Sequence, residues 1–266
     1  METYKDLKLA VLIDADNVPY VYVKEMFEEI ATYGTPTFKR IYADWTKPTV
    51  SGWKTVLLEN AITPIQQYSY TTGKNATDSA MIIDAMDILY SGKVDGFCII
   101  SSDSDFTRLA TRLREAGMKV FGFGEKKTPK PFISACDKFI YIEILVAEPF
   151  IEEVTEPGKL PAAQQPLKEQ PKAKTRPPIL KTDKRLIKLI ADSIEDIGDE
   201  NGWTFLGDLG NILIKKQPNF DSRNYGFSKL VSLIRSMGQF EINERETGKG
   251  NIKHVYVRKK QMSNAG

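Results

Sequence analysis

Residues 97–106 read FCIISSDSDF, an apolar run with two aspartates directly behind it. An apolar run of this length is typical of a strand buried on both faces of a sheet. Residues 8–13 and 37–43 repeat the arrangement, since each is a strand-like run with an acidic side chain close behind it. Helical patterns lie between these runs. The alternation predicts an α/β fold, with a parallel sheet flanked by helices on both faces.

The remaining predicted elements continue this alternation. We predict strands over residues 8–13, 37–43, 63–68, 96–101, 119–124 and 139–145. We predict helices over residues 20–33, 52–60, 77–90 and 105–116. Gly117 follows the last of these helices, at the position where a helix end favours glycine.

Acidic side chains follow three of the predicted strands. In doubly wound sheets, ligands collect beyond the carboxyl ends of the strands, so these residues are the first candidates for a site. They could also cap helices or lie solvated in loops. The polar residues at this edge are Asp14, Asp16 and Asn17 after the first strand, Asp44 after the second, and Asp103 and Asp105 after the fourth.

The helix predicted over residues 77–90 adds another acid. At about 100° per residue, Asp78 lies on the apolar stripe of this helix, whereas Asp84 and Asp87 project away from it. A carboxylate on an apolar stripe needs a cation or strong hydrogen-bond donors, because burying an unpaired charge is costly. The amides of the helix N-terminus are the alternative to a cation.

Converging carboxylates repel one another, and a hard divalent cation is the simplest way to keep them ionised together. The ligand types fit Mg²⁺ or Mn²⁺. A bound metal can activate water for attack on a phosphodiester. The single histidine of the chain, His254, lies far along the sequence, so imidazole-based catalysis is excluded from the N-terminal half. Asn17 is a candidate for positioning water or phosphate.

Lysines near this edge are candidates for contact with a nucleic-acid backbone. Lys74 precedes Asp78 by four residues, and Lys126 and Lys127 follow the fifth predicted strand. Exposed loop lysines with no ligand are the alternative interpretation.

Half of the 14 prolines lie within residues 148–181, which predicts an extended, flexible linker. We therefore divide the chain into a domain of residues 1–147, the linker, and a domain of residues 182–260. The second domain shows three helical patterns and a hairpin, which is typical of a winged helix. These patterns cover residues 183–197, 206–216 and 225–237, then 239–243 and 252–257.

The chain of 266 residues is long enough for two cores. Its apolar runs are too short to cross a bilayer, and it begins without a secretory pattern, so we expect a cytoplasmic protein with no membrane partner. Cys98 and Cys136 are too few and too isolated for a disulfide framework or a thiolate zinc site, so we expect two reduced packing residues.

The motifs IDADN at 13–17, KNATD at 74–78 and SSDSDF at 101–106 together resemble the NYN domain, a PIN-like nuclease fold related to Rossmann-like sheets. The likeness is to its bacterial LabA-like branch. It implies a Mg²⁺ or Mn²⁺ site and RNA cleavage, and it adds Asp84 as a family acid. Asn75 and Ser102 stand where the family often has glycine. The acids that match the family are Asp14, Asp78, Asp103 and Asp105.

Residues 183–258 resemble the OST-HTH/LOTUS domain, which is paired with NYN domains in limkain-b1-type proteins. The resemblance implies binding of structured or G-rich RNA, or docking of a partner protein. Lys229 and Lys249 are candidates for phosphate contact, against the plainer interpretation of a solvated surface.

We therefore predict a metal-dependent endoribonuclease with a C-terminal module that binds single-stranded or structured RNA. The first alternative is an RNA-binding regulator whose acidic site no longer cleaves. The second is a haloacid-dehalogenase-like phosphatase that uses Asp14 and Asp16 as nucleophile and acid. A homodimer is left open.

Overall fold

The N-terminal domain is built on six parallel strands in order β3-β2-β1-β4-β5-β6. The structure, a computed structural model, describes residues 6–68, 76–146, 183–246 and 253–260. This sheet confirms the predicted α/β fold. The strands are β1 Leu7–Asp14, β2 Gly34–Ala43, β3 Thr63–Gln66, β4 Gly96–Ile100, β5 Lys119–Gly124 and β6 Lys138–Tyr141.

Helices cover both faces of this sheet, because successive side chains of a buried strand point to opposite sides. Leu9, Val11 and Ile13 of β1 pack with α1 and α2, whereas Ala10 and Leu12 pack with α3, α4 and α5. The helices are α1 Val23–Ile30, α2 Trp53–Asn60, α3 Ala76–Ser91, α4 Thr107–Glu115 and α5 Lys130–Ala135.

Three boundaries differ from the sequence prediction. The helix predicted over residues 20–33 begins as a 3-10 turn, Tyr20–Tyr22, and becomes α-helical only at Val23. The last strand ends at Tyr141 and continues as another 3-10 turn. Helix α5 was missed, since six residues that include Pro131 are too few to show a helical period. Gly117 ends α4 with φ of 82°, as predicted.

The C-terminal domain has three helices and a three-stranded antiparallel sheet in order β7-β9-β8, which confirms the winged-helix prediction. The third helix starts at Leu230 instead of residue 225, because Gly226 adopts a left-handed φ of 87° that interrupts a helix. The elements are α6 Lys184–Ile197, β7 Thr204–Phe205, α7 Leu206–Lys216, α8 Leu230–Met237, β8 Phe240–Glu246 and β9 Lys253–Lys259.

The two domains contact each other at the outer edge of β6. The backbone amide of Phe139 donates to the carbonyl oxygen of Pro218 at 2.9 Å, so the C-terminal domain satisfies a donor on this edge strand. Asn219 donates to the hydroxyl of Tyr141 at 2.8 Å. No pattern in the sequence predicts this contact. The linker predicted over residues 148–181 lies outside the described residues, so its character and the domain boundaries remain predictions.

Across the described part of the chain, helices that combine the length and the apolar character needed to cross a bilayer are absent.

Candidate metal centre

Three carboxylates meet beyond the carboxyl ends of the central strands. Asp78, Asp103 and Asp105 each offer an oxygen atom, and these atoms all lie within 4.8 Å of one another. Asp78 lies in the first turn of α3, whereas the other two follow β4. The structure therefore brings together three of the four acids that the sequence predicts as metal ligands, and their role as ligands remains a prediction.

The turn after β4 is held by side-chain bonds to its own backbone. Asp103 accepts a hydrogen bond from the amide of Asp105 at 2.9 Å, and its own amide donates to Ser101 Oγ at 3.0 Å. Asp103 thereby caps the short 3-10 helix Ser104–Phe106. Helix α4 begins after Phe106, whose side chain makes no capping hydrogen bond.

Asp14 lies at the end of β1 and is 1% exposed. Its Oδ2 accepts hydrogen bonds from Asn17 Nδ2 at 2.6 Å and from Ser101 Oγ at 2.8 Å, and its Oδ1 accepts from the amide of Asp16 at 3.2 Å. Burial raises the pKa of Asp14 above its usual value, although these bonds act against the rise. Asp14 is outside the group of three whose oxygens lie closest.

The electrostatics of Asp78 reflect the crowding of negative charge. Burial raises its pKa, and the negative charges of neighbouring aspartates raise it further, to about 6. Among the described residues, the charges that act most strongly on Asp78 are all negative: Asp14, Asp103, Asp105 and Asp16. Asp78 therefore sits in a strongly negative potential.

The donor set fits a hard divalent cation. All the candidate donors are carboxylate oxygens, which are the ligands that Mg²⁺ and Mn²⁺ prefer. Burial and, after it, repulsion by the neighbouring aspartates raise the pKa of Asp78, and a cation among these oxygens would relieve the repulsion. The residues present at the site therefore fit such an ion.

Asp84, the acid that the family resemblance added, is directed elsewhere. Its carboxylate accepts hydrogen bonds from the guanidinium of Arg40 and from the hydroxyl of Tyr42, two residues of β2. Burial and the neighbouring carboxylate of Asp84 raise the pKa of Tyr42. Asp84 is thus neutralised by β2 and does not join the group of three.

The other acids of the sheet edge have separate surroundings. Asp44 accepts from Thr46 Oγ1 at 2.6 Å and from Gln66 Nε2 at 3.1 Å, so it ties the end of β2 to that of β3. Asp16 and Asp87 are exposed. Asp87 is solvated, as predicted from its position on the helix.

The predicted basic contacts divide into two sets. Lys74 and Lys249 lie outside the described residues. Lys127 forms an ion pair with Glu125, and the backbone amide of Lys126 donates to Glu143 at 2.9 Å. The role of these lysines in binding RNA remains a prediction, as does that of Lys229, which is exposed just before α8.

Ser102 makes a structural hydrogen bond that the sequence did not predict. Its Oγ accepts a hydrogen bond from the amide of Glu125 at 2.9 Å, which ties the turn after β4 to the end of β5. The hydroxyl is absent from the glycine that the family often has at this position. The departure from the family pattern therefore adds a bond to the loop that carries Asp103.

The sequence model of the NYN domain matches residues 8–143. The match spans half of the chain, and the protein belongs to the NYN domain family, which is a nuclease-type family. The matched segment contains every described carboxylate of the candidate metal centre.

A second sequence model, that of the OST-HTH/LOTUS domain, matches residues 178–252. This is an RNA-binding type of domain, and the match confirms the second resemblance. The protein thus joins an NYN domain to an OST-HTH/LOTUS domain.

No curated protein matches the chain. The crystal structure of a protein of unknown function from Vibrio parahaemolyticus is similar at 23% identity, with a TM-score of 0.44, over 53% of this chain and 96% of that one. The solution structure of an uncharacterized protein from Nitrosomonas europaea is similar at 32% identity, with a TM-score of 0.26, over 39% of this chain and 92% of that one.

Proposed function

We propose that this protein is an endoribonuclease that depends on Mg²⁺ or Mn²⁺ and whose C-terminal domain binds the RNA substrate. One observation carries the proposal: Asp78, Asp103 and Asp105 bring carboxylate oxygens within 4.8 Å of one another in a domain of a nuclease-type family. Carboxylates crowded at the edge of a parallel sheet are suited to bind a cation and, through it, a phosphodiester.

Asp78, Asp103 and Asp105 would hold the cation, with Asp14 close behind them. Bound there, such an ion would supply an activated water for attack on phosphorus and positive charge to stabilise the developing oxyanion. The carboxylates supply the negative charge that keeps the ion bound, and the turn held by Ser101 keeps them in place.

Asp14 and Asn17 act together in this proposal. The amide of Asn17 and the hydroxyl of Ser101 both donate to the same oxygen of Asp14. These bonds favour the ionised carboxylate despite its burial. Asp14 therefore adds negative charge beside Asp78, and Asn17 positions Asp14. The N-terminal domain has no histidine, so proton transfers fall to carboxylates and water.

Two alternatives remain to be weighed against this function. An RNA-binding regulator that does not cleave is the first, because Asn75 stands where the family often has glycine. The phosphatase alternative is disfavoured, because Asp14 is 1% exposed and both of its oxygens accept hydrogen bonds, which leaves it poorly placed to act as a nucleophile.

The test is cleavage of end-labelled single-stranded RNA by the full chain in Mg²⁺, Mn²⁺ or EDTA, with DNA of matched sequence alongside. We expect RNA cleavage in either metal and none in EDTA. Asp103→Asn removes one ligand charge and should lower the rate at least about 100-fold, because metal stabilisation of the transition state is worth several kcal/mol.

The matched control is Asp87→Asn, which makes the same change at an exposed aspartate of α3. We expect its rate to stay within about twofold of the unmodified protein. Cleavage that persists in EDTA, or that survives Asp103→Asn, would reject the proposal. RNA that is bound but left intact in both metals would support the regulator instead.

A further inference from the structure

The sheet of the C-terminal domain has one face that the core does not use. Val257 of β9 is fully buried, and Ile242 of β8 packs against the same core. Successive side chains of a strand alternate between the two faces. The residues on either side of Val257 therefore lie on the opposite face, which we call the outer sheet face.

The strand register defines the members of this face. Tyr256 is paired with Phe205 of β7 on one side and with Asn243 of β8 on the other. Residues directly opposite each other in antiparallel strands project from the same face. By this register the outer sheet face consists of Phe205, Glu241, Asn243, Arg245, His254, Tyr256 and Arg258, with Trp203 beside it just before β7.

Planar groups are packed together on this face. The guanidinium of Arg245 lies 4.1 Å from the ring centroid of Tyr256 and 5.4 Å from that of Trp203. The guanidinium of Arg258 lies 4.6 Å from the Trp203 ring. The ring of Phe205 is 5.1 Å from that of His254 and 5.8 Å from that of Tyr256. The result is one continuous platform of rings and guanidinium planes.

The two arginines of the platform differ in their charge balance. Arg258 donates to Glu241 at 2.7 and 2.9 Å, so its charge is largely compensated. Arg245 is exposed and, within the described residues, forms no ion pair. The platform therefore presents many planar surfaces and little net positive charge.

The platform is also open to solvent. His254 and Arg245 are exposed, and Trp203, Phe205 and Tyr256 are half-buried. The contact with the N-terminal domain uses other residues, namely Pro218, Asn219 and Arg223. A ligand could therefore reach the outer sheet face while the two domains are in contact.

These properties select a class of ligand. Unpaired bases stack on aromatic rings and on guanidinium planes, whereas a duplex hides its base faces and is bound mainly through its phosphates. A surface rich in planar groups and poor in net charge is suited to the first and not to the second. We propose that the outer sheet face binds unpaired bases of single-stranded RNA, with Arg245 and Tyr256 as the central contacts. This inference rests on RNA binding by the C-terminal domain and not on cleavage.

The test measures binding of a fluorescein-labelled, unstructured RNA of about 20 nucleotides by fluorescence anisotropy. The buffer contains EDTA, and every protein carries Asp103→Asn, so that the RNA stays intact. Tyr256→Ala and Arg245→Ala should each weaken binding about 10-fold or more, as expected for the loss of one stacked base. Arg185→Ala, which removes an exposed arginine of α6, is the matched control and should change the Kd less than twofold.

Arg245→Lys separates stacking from charge, because lysine keeps the positive charge but has no planar group. We expect Arg245→Lys to weaken binding as well, with an increase in log Kd at least half as large as that caused by Arg245→Ala. A duplex of the same RNA should bind at least about 10-fold more weakly. The salt dependence should be shallow, with a slope of log K against log salt no steeper than about −1.5, because few phosphates are neutralised.

The proposal is overturned if the unmodified face binds no single-stranded RNA, if the substitutions at Tyr256 and Arg245 leave the Kd unchanged, or if duplex RNA binds equally well. Far-UV circular dichroism and the Tm show that each variant is folded. Because binding is measured without catalytic metal, a failure here is distinct from a failure of the nuclease proposal, which the cleavage assay decides separately.

Discussion

Acidic side chains crowd together at two places in this protein, and the two differ in how the charge is compensated. Between the domains, Arg223 donates to Glu29 at 2.8 and 3.0 Å and to Asp221 at 2.7 and 3.0 Å. Burial raises the pKa of Glu29, but the hydrogen bonds from Arg223 and Tyr33 outweigh it, and the pKa is lowered. At the sheet edge, burial and neighbouring aspartates raise the pKa of Asp78 to about 6.

The comparison shows that crowding of acids does not by itself indicate a ligand site. The acids between the domains, Glu29 and Asp221, are compensated by Arg223 of the same protein, and the bonds from Arg223 to Glu29 join the two domains. The charges that act most strongly on Asp78 are negative, so an external cation would stabilise its group. The lowered pKa of Glu29 and the raised pKa of Asp78 are consistent with this difference in neighbouring charge.

Removing the internal cation should have the largest effect on stability. Arg223→Gln leaves Glu29 and Asp221 facing each other, and breaking a buried pair costs about 3–5 kcal/mol. Because 32% of the Arg223 side chain is exposed, we expect a smaller loss, about 2 kcal/mol. The Tm should fall by about 4–8 °C. Arg108→Gln, at an exposed arginine of α4, should leave the Tm unchanged. Equal Tm values for the two variants would contradict the assigned role of Arg223.

Neutralising one acid in each cluster should give effects of opposite sign. In metal-free buffer at pH 8, Glu29→Gln loses charged hydrogen bonds and should lower the Tm, by about 2–4 °C for a loss of about 1 kcal/mol. Asp78→Asn relieves repulsion and should raise the Tm slightly. Asp78→Asn should also abolish any rise in Tm on addition of Mg²⁺ or Mn²⁺, whereas Glu29→Gln should preserve it. A fall in Tm for both variants would mean that Asp78 is already compensated.

Asp84→Asn tests the assignment of that acid to β2. The change weakens the hydrogen bonds to the partly exposed Arg40 and to the buried Tyr42. Because Arg40 and Asp84 are partly exposed and asparagine can still accept a hydrogen bond, the cost should be about 1 kcal/mol. The cleavage rate should remain within about threefold of that of the unmodified protein. The rise in Tm on addition of metal should remain within about 1 °C of that of the unmodified protein. A loss of cleavage as large as that for Asp103→Asn would place Asp84 in the metal centre.

The pH dependence of stability should be the smallest effect. The folded-state pKa of Asp78, about 6, is above the ordinary value of 3.8, so its contribution to stability is complete below about pH 3.8 and is lost as the pH rises through about 6. Glu29 has a lowered pKa, so its contribution is present above 4.5 and is lost at lower pH. Metal-free Tm measurements should therefore decline modestly from pH 5 to 7, and Mg²⁺ should remove the decline. A decline that Asp78→Asn leaves in place would point to another group.

The convergence of the acids was largely predictable from sequence. Each strand end placed its aspartates at the same edge, and the helical period placed Asp78 on the buried side of α3. These predictions succeeded because they depend on local periodicity and on the general geometry of parallel sheets. They did not reveal that Asp14 stands behind the group of three, held by Asn17 and Ser101.

Asp78 and Asp84 illustrate what a local sequence pattern cannot predict. Both are acids of the same helix, and the family resemblance favoured both. Their different roles depend on Arg40 and Tyr42, which lie on β2 more than 40 residues earlier and whose side chains meet Asp84 only in the folded sheet. No periodicity within α3 encodes that partner.

The sequence by itself determined the two domains' fold classes and the collection of aspartates at one sheet edge, because apolar periodicity and strand direction are local properties. The tertiary structure alone decided which acids find a cation within the protein, how the C-terminal domain covers the edge of β6, and which aromatic residues share the outer sheet face. Those outcomes depend on contacts between residues far apart in the chain, and a compensated charge differs from an uncompensated one only by such contacts.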